Sequence, residues 1–107
     1  MIKLKIEEGF LNMENDINEV NQFVDKHIND ILKAFRSASY EIDIDSRREE
    51  TIGTPTGIKK AVIFNIRPKN RLADIRKLSR RIGDFMRDNY KFGYNVAPNQ
   101  KDIIRFF

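Results

Sequence analysis

The run Ala61-Val62-Ile63-Phe64-Asn65-Ile66 constrains the fold more than any other stretch of this chain. A strand with one solvated face alternates apolar and polar residues. A nearly unbroken apolar run predicts instead a central strand buried on both sides, with neighbours to pair it and side chains packed above and below. Pro68 ends the run, because proline brings no N–H to a strand ladder.

The flanking sequence offers the cover such a strand needs. Ile17, Val20, Val24, Ile28, Ile31 and Phe35 recur at spacings of three and four, which predicts a helix over roughly residues 13–37 with Asn12 as its cap. Leu72, Ile75, Leu78, Ile82, Phe85 and Met86 form a second such stripe behind Asn70, with Gly83 inside it as a weak point. Alternation predicts strands at Ile2-Leu4-Ile6 and Tyr40-Ile42-Ile44. It also predicts a closing hairpin of Tyr90, Phe92, Tyr94 and Val96 with Ile103, Ile104, Phe106 and Phe107, turning at Ala97-Pro98-Asn99-Gln100. Residues 46–57, polar and carrying Gly53, Pro55 and Gly57, read as a mobile loop. The order is β-α-β-β-α-β-β, an α+β fold in which two helices pack on one face of a mostly antiparallel sheet, as a single domain over residues 1–107.

Composition narrows the chemistry. The 107 residues include no cysteine, which removes disulfides, thiolate metal sites and cysteine nucleophiles and fits a reducing compartment. No apolar run approaches the roughly 20 residues of a membrane helix, and the N-terminal sequence lacks the pattern of a signal peptide, so a cytoplasmic location is expected. Thr54-Pro55-Thr56-Gly57 lacks the spacing and the Lys-Ser/Thr end of a phosphate loop. His27, the only histidine, has no serine, cysteine or carboxylate partner in a catalytic pattern and reads as a packing or surface residue. Glu41, Asp43 and Asp45 share one strand face where a magnesium ion can bind, yet a polar face is the ordinary pattern of a half-buried strand. No cofactor motif is present, and the expectation is a protein that is not an enzyme.

Charge is the main functional clue. Residues 1–56 hold 7 Lys/Arg against 12 Asp/Glu, a net −5, whereas residues 57–107 hold 13 against 4, a net +9. On the second predicted helix, 100° per residue places Arg76, Arg80 and Arg87 together, opposite the apolar stripe, with Lys77 and Arg81 beside them. Arg67, Lys69 and Arg71 lead into that helix, and Arg47 and Arg48 lie in the predicted loop. Arginine pairs bidentately with phosphate oxygens, so this row predicts contact with a DNA or RNA backbone or with an acidic protein surface. The aromatic residues of the final hairpin lie beside basic ones, a pattern that serves base stacking in single-strand binders and, more often, a core.

From about Val20 onward the layout resembles the small α/β domain preceding the motor of FtsK/SpoIIIE-type DNA translocases. The residues that carry the resemblance are QFVDKHINDILKAF, YEIDI, TPTG before AVIFNIRP, IRKLSRRIGDFM and VAPNQKDIIRFF. The chain departs from that family in having Thr54-Pro55-Thr56-Gly57 where the family has Gly-Pro, and Pro98-Asn99-Gln100-Lys101 where it has Pro-Gly-Lys. It also has an extra N-terminal strand and no motor. The resemblance implies a ring- or complex-forming module near DNA with no ATPase activity of its own. Two functions follow from the residues and the resemblance together. One is a non-enzymatic nucleic-acid-binding or DNA-transaction accessory module; the other is a protein–protein assembly or inhibitor protein, such as a phage structural component or anti-defence factor, in which the chain associates with copies of itself.

Overall fold

The computed structural model describes residues 16–55, 57–88, 91–97 and 102–107. The expected first strand at residues 2–6, the cap at Asn12 and the strand position of Tyr90 lie outside them. Three helices and a four-stranded antiparallel sheet follow one another as α1 (Ile17–Lys26), α2 (Ile28–Ser37), β1 (Tyr40–Thr54), β2 (Gly57–Pro68), α3 (Ile75–Arg87), β3 (Tyr94–Ala97) and β4 (Ile103–Phe106). The sheet order is β1-β2-β4-β3. The α+β class and the antiparallel sheet agree with the sequence reading.

β2 is the doubly buried strand: Ala61, Val62, Ile63 and Phe64 are fully enclosed. Its alternate residues belong to two cores. Val62, Phe64 and Ile66 join Ile104 and Phe106 of β4 beneath Val20, Val24, Ile31, Phe35, Leu78 and Ile82 of the helices. Ala61 and Ile63 join Ile103 in a smaller cluster on the other face, flanked by Ile52, Ala97 and Phe107. The period of two in β2 thus separates a helix-covered face from a second, thinner apolar face.

The expected helix over 13–37 is interrupted at His27, which sits at φ −109°, ψ 17° between α1 and α2. The amide of His27 still reaches Phe23 O and that of Ile31 reaches His27 O, so the ladder passes through the irregularity. The imidazole packs between Phe23 and Phe85, with centroids 5.0 and 5.3 Å away. Asp16, with Oδ1 accepting from Asn18 N, caps α1.

Helix α3 begins five residues after Asn70. Asn70 instead closes a turn, its side chain accepting from Leu72 N and its carbonyl from Ala73 N, while Asp74 caps the helix through Arg76 N and Lys77 N. An Asx turn and a cap compete for the same residue types, and here Asn70 takes the turn and Asp74 the cap. Leu72 is consequently not part of the buried stripe and stands 73% exposed.

The stretch 46–57, expected as a loop, is largely strand. β1 runs to Thr54 and pairs with β2 down to Thr54↔Gly57, and Thr54 Oγ1 donates to Gly57 O at 2.8 Å. Pairing with β4 covers only Val62 to Asn65 of β2, so the hairpin runs past β4 as a two-stranded arm. Side chains on such an arm meet solvent on much of both faces, which removes the alternation by which a strand is recognised. Gly57 has φ 139°, a region closed to residues with a Cβ.

The C-terminal hairpin closes the sheet with close contacts. A Cβ on Gly83 would lie 2.9 Å from the Tyr94 hydroxyl, which explains the glycine in α3. Gly93 is more confined: its backbone exchanges both hydrogen bonds with Phe107, and a Cβ there would lie 2.5 Å from the Phe107 ring. Gly93→Ala is expected to destabilise the fold by about 1–3 kcal/mol through this overpacking, read as a lower urea midpoint at unchanged slope.

Tyr40 opens β1 and lies buried. Burial, and then the carboxylates of Asp102 and Asp74, push its hydroxyl above its ordinary pKa of 10.0. The folded chain therefore holds this proton more tightly than the unfolded one. The contribution is complete below that ordinary value and declines as pH rises through the raised one. Urea midpoints measured from about pH 9 to pH 11 are expected to fall less for Tyr40→Phe than for the parent chain.

Candidate nucleic-acid interface

α3 turns Leu78, Ile82 and Met86 into the core, so its opposite side is fixed toward solvent. Arg76, Arg80, Arg81 and Arg87 are exposed and Lys77 is half-buried. The three acidic residues of this segment, Asp74, Asp84 and Asp88, differ in what they do. Asp74 is engaged at the helix N-terminus, Asp84 pairs with Arg87 at 2.9 Å, and Asp88 is the exposed C-cap residue. Among the described residues Arg76, Lys77, Arg80 and Arg81 close no ion pair.

The other predicted site residues separate into two groups. Arg47 is a structural cation: its guanidinium reaches Asp25 Oδ1 at 2.5 Å and Asn21 Oδ1 at 2.7 Å and lies 5.8 Å from the Phe64 ring centroid. It ties β1 to α1. Arg48 bonds Glu50 at 3.0 Å and Asn65 Oδ1 at 3.2 Å, and Arg67 bonds Glu41 at 2.6 Å. That contact raises the Arg67 pKa above its usual value, the hydrogen bond donated to Glu41 contributing first and the Glu41 charge second. Lys69 and Arg71, by contrast, are exposed in the turn before α3 and close no ion pair among the described residues. This turn is held in place by Lys69 N on Ser39 O and Asp74 N on Ala38 O.

Two further cations join the helical layer that the sequence reading did not include. Lys33 and Arg36 are exposed on α2. Lys33 lines a groove of about 370 Å³ with Arg81 and Phe85 of α3, and Arg36 lines another of about 260 Å³ with Lys69 and Tyr40. In the sequence they read as last-turn cations that complement the helix dipole, within the acidic half of the chain. Their i, i+3 spacing after Asp30 was the available signal.

Contacts give the surroundings of several other residues weighed from the sequence. Phe92 stacks on Phe23 at 4.4 Å, Tyr94 packs on Gly83 and Phe106 is enclosed, so these aromatic residues serve the core. Glu41 is held by Arg67, and Asp43 Oδ1 accepts from Asp45 N. Among the described residues no three His, Asp or Glu side chains gather as a metal site. His27 approaches Asp30 at 3.6 Å and otherwise packs. On the far face of the sheet a groove of about 440 Å³ is bordered by Glu50, Ile52, Asn95, Arg105 and Phe107. Arg105 donates to Asn95 Oδ1 there at 2.7 Å, while its buried Nε meets no acceptor among the described residues.

No helix among the described residues is long and apolar enough to cross a membrane. No family model, curated protein or solved structure matches this chain.

The division between tied and free cations has a measurable consequence. Arg47→Ala is expected to lower stability by about 1–2 kcal/mol, from the lost hydrogen bonds and ring contact. Arg80→Ala, at an exposed site with no ion-pair partner among the described residues, is expected to stay within about 0.5 kcal/mol of the parent. Urea unfolding of the two variants checks this.

Proposed function

We propose that the chain is a non-enzymatic nucleic-acid-binding module, a DNA-transaction accessory protein that grips the phosphate backbone from the outer face of α3. One observation carries the reading. Arg47, Arg48, Arg67, Arg87 and Lys91 are matched to carboxylates, whereas Arg76, Lys77, Arg80 and Arg81 stand together on one helix without an ion pair among the described residues. Such a cluster keeps its field and its donors available for an external anion.

The helix suits that role. Four residues advance about 6 Å along an α-helix, so Arg76 and Arg80 present two guanidinium forks one turn apart. The core stripe of Leu78, Ile82 and Met86 fixes their direction. Lys69 and Arg71 extend the positive surface at the N-terminal end, where the helix dipole adds to the attraction for phosphate. The resemblance to the domain beside DNA-translocating motors points the same way.

Contacts of this kind are independent of base sequence and sensitive to salt. If about three phosphates are engaged, affinity falls roughly 40-fold between about 50 and 200 mM salt. Titration of labelled single- and double-stranded DNA and RNA by anisotropy at those two concentrations tests this. The Arg76→Ala/Arg80→Ala/Arg87→Ala variant is expected to lose most of the affinity and to show a shallower salt slope. Binding indifferent to salt, or no binding at the lower concentration, refutes the proposal.

A further inference from the structure

The face of the sheet away from the helices holds positive charge that the fold does not neutralise. Ile63, Arg105 and Asn95 stand side by side across β2, β4 and β3. They adjoin the small cluster of Ala61, Ile63 and Ile103, to which no residue of a described helix belongs. The β1–β2 hairpin continues past the paired part of β4, so the end of β4 faces the arm across a groove. That groove of about 440 Å³ is bordered by Glu50, Ile52 and Pro55 of the arm and by Asn95, Arg105 and Phe107 of the closing hairpin. Its size is that of a small-molecule site.

Its charged groups can be taken one by one. Arg105 donates from Nη1 to Asn95 Oδ1 at 2.7 Å, a neutral acceptor. Its Nε is buried and meets no acceptor among the described residues, and the guanidinium closes no ion pair among them. Lys59, whose Nζ lies 5.6 Å from the Phe107 ring centroid, closes none either. Glu50, the carboxylate on the β1 side, is held by Arg48 at 3.0 Å. Asn95 therefore orients the guanidinium through Nη1 and leaves the Nε edge without a partner. A buried donor lacking an acceptor and a cation lacking a counter-ion both favour an anion at this place.

We propose that this groove binds a small organic monocarboxylate, its oxygens on the unpartnered edge of Arg105 and its apolar body against Ile52 and Phe107. A guanidinium is planar, and its paired donors match the two oxygens of a carboxylate. Lys59 adds a second positive charge beside the Phe107 ring. Glu50 sets the charge of the ligand: although matched to Arg48, it repels a doubly charged phosphate more than a single negative charge. The site is independent of the nucleic-acid reading, because α3 packs on the other face of the sheet through Leu78, Ile82 and Met86.

Titration of the full chain with sodium benzoate, followed by the NMR signals of its backbone amides, is the test. Benzamide, the uncharged isostere, and inorganic phosphate are titrated in parallel. Benzoate is expected to shift the amides of Ile52, Asn95, Arg105 and Phe107 along a saturable curve, and to bind roughly tenfold or more tightly than either control. Arg105→Gln, which keeps a donor for Asn95, is expected to lose roughly tenfold or more in affinity. Glu50→Gln is expected to bind benzoate more tightly than the parent chain, a gain that a damaged fold cannot imitate. Shifts that do not saturate by about 20 mM benzoate, shifts confined to α3, or equal binding of benzamide or phosphate overturns the proposal. Undiminished affinity in Arg105→Gln overturns it as well, and benzoate held no more tightly by Glu50→Gln overturns the selection assigned to Glu50.

Discussion

Burial of β2 on both faces is the constraint around which the rest of this molecule is arranged. Four consecutive residues, Ala61 to Phe64, are withdrawn from water entirely, and their alternating side chains require apolar partners on two sides at once. The three helices supply one side, through Val20, Val24, Ile31, Phe35, Leu78 and Ile82. The backbone requires pairing on both edges, since buried amides and carbonyls without partners are costly. β1 takes one edge and β4 the other. The arginine face of α3 follows from this arrangement: with the stripe at 78, 82 and 86 committed to β2 and β4, the residues half a turn away have no direction but outward.

The charge distribution becomes clearer in three dimensions than in sequence halves. Asp25 is matched within the acidic half by Arg47, and Glu50 by Arg48, while Glu41 reaches across to Arg67 and Glu19 to Lys91. These contacts remove much of the apparent division between halves. Among the described residues, Lys33 and Arg36 of α2 and Arg76, Lys77, Arg80 and Arg81 of α3 close no ion pair on the helical layer, while Lys59 and Arg105 close none on the sheet. The carboxylates of Asp43 and Asp45 on β1 close none among them either. Placement of charge at the surface therefore follows these contacts rather than a count by sequence halves.

The fold class, the doubly buried strand and the outward row of α3 were legible because each rests on a local period: 2 in β2 and 3.6 in the helices. The places where the sequence misleads share a different cause. Asn70 and Asp74 carry the same capping chemistry four residues apart, and only packing decides that the helix starts at the second. His27 fits a helical stripe, yet the gap between Phe23 and Phe85 determines its position. The hairpin arm beyond β4 has no buried face to impose alternation, so its polar residues imitate a loop. Lys33 was invisible as a site residue because its significance lies in facing Arg81, a relation between helices distant in sequence.

The sheet order also sets a timetable for synthesis. β4 lies between β2 and β3, so the inner edge of the most apolar strand waits for the last strand of the sheet, with Phe64 paired to Ile104. At about 5–20 residues per second, that strand leaves the ribosome seconds before its second neighbour exists. During this interval β1 and the helices, α3 among them once it is made, can shield it, but its edge toward β4 has no partner strand. The nascent chain thus carries a flat apolar edge through its most vulnerable period, which makes the crowded environment at the ribosome exit, rather than the finished protein, the place where this fold is most prone to aggregate.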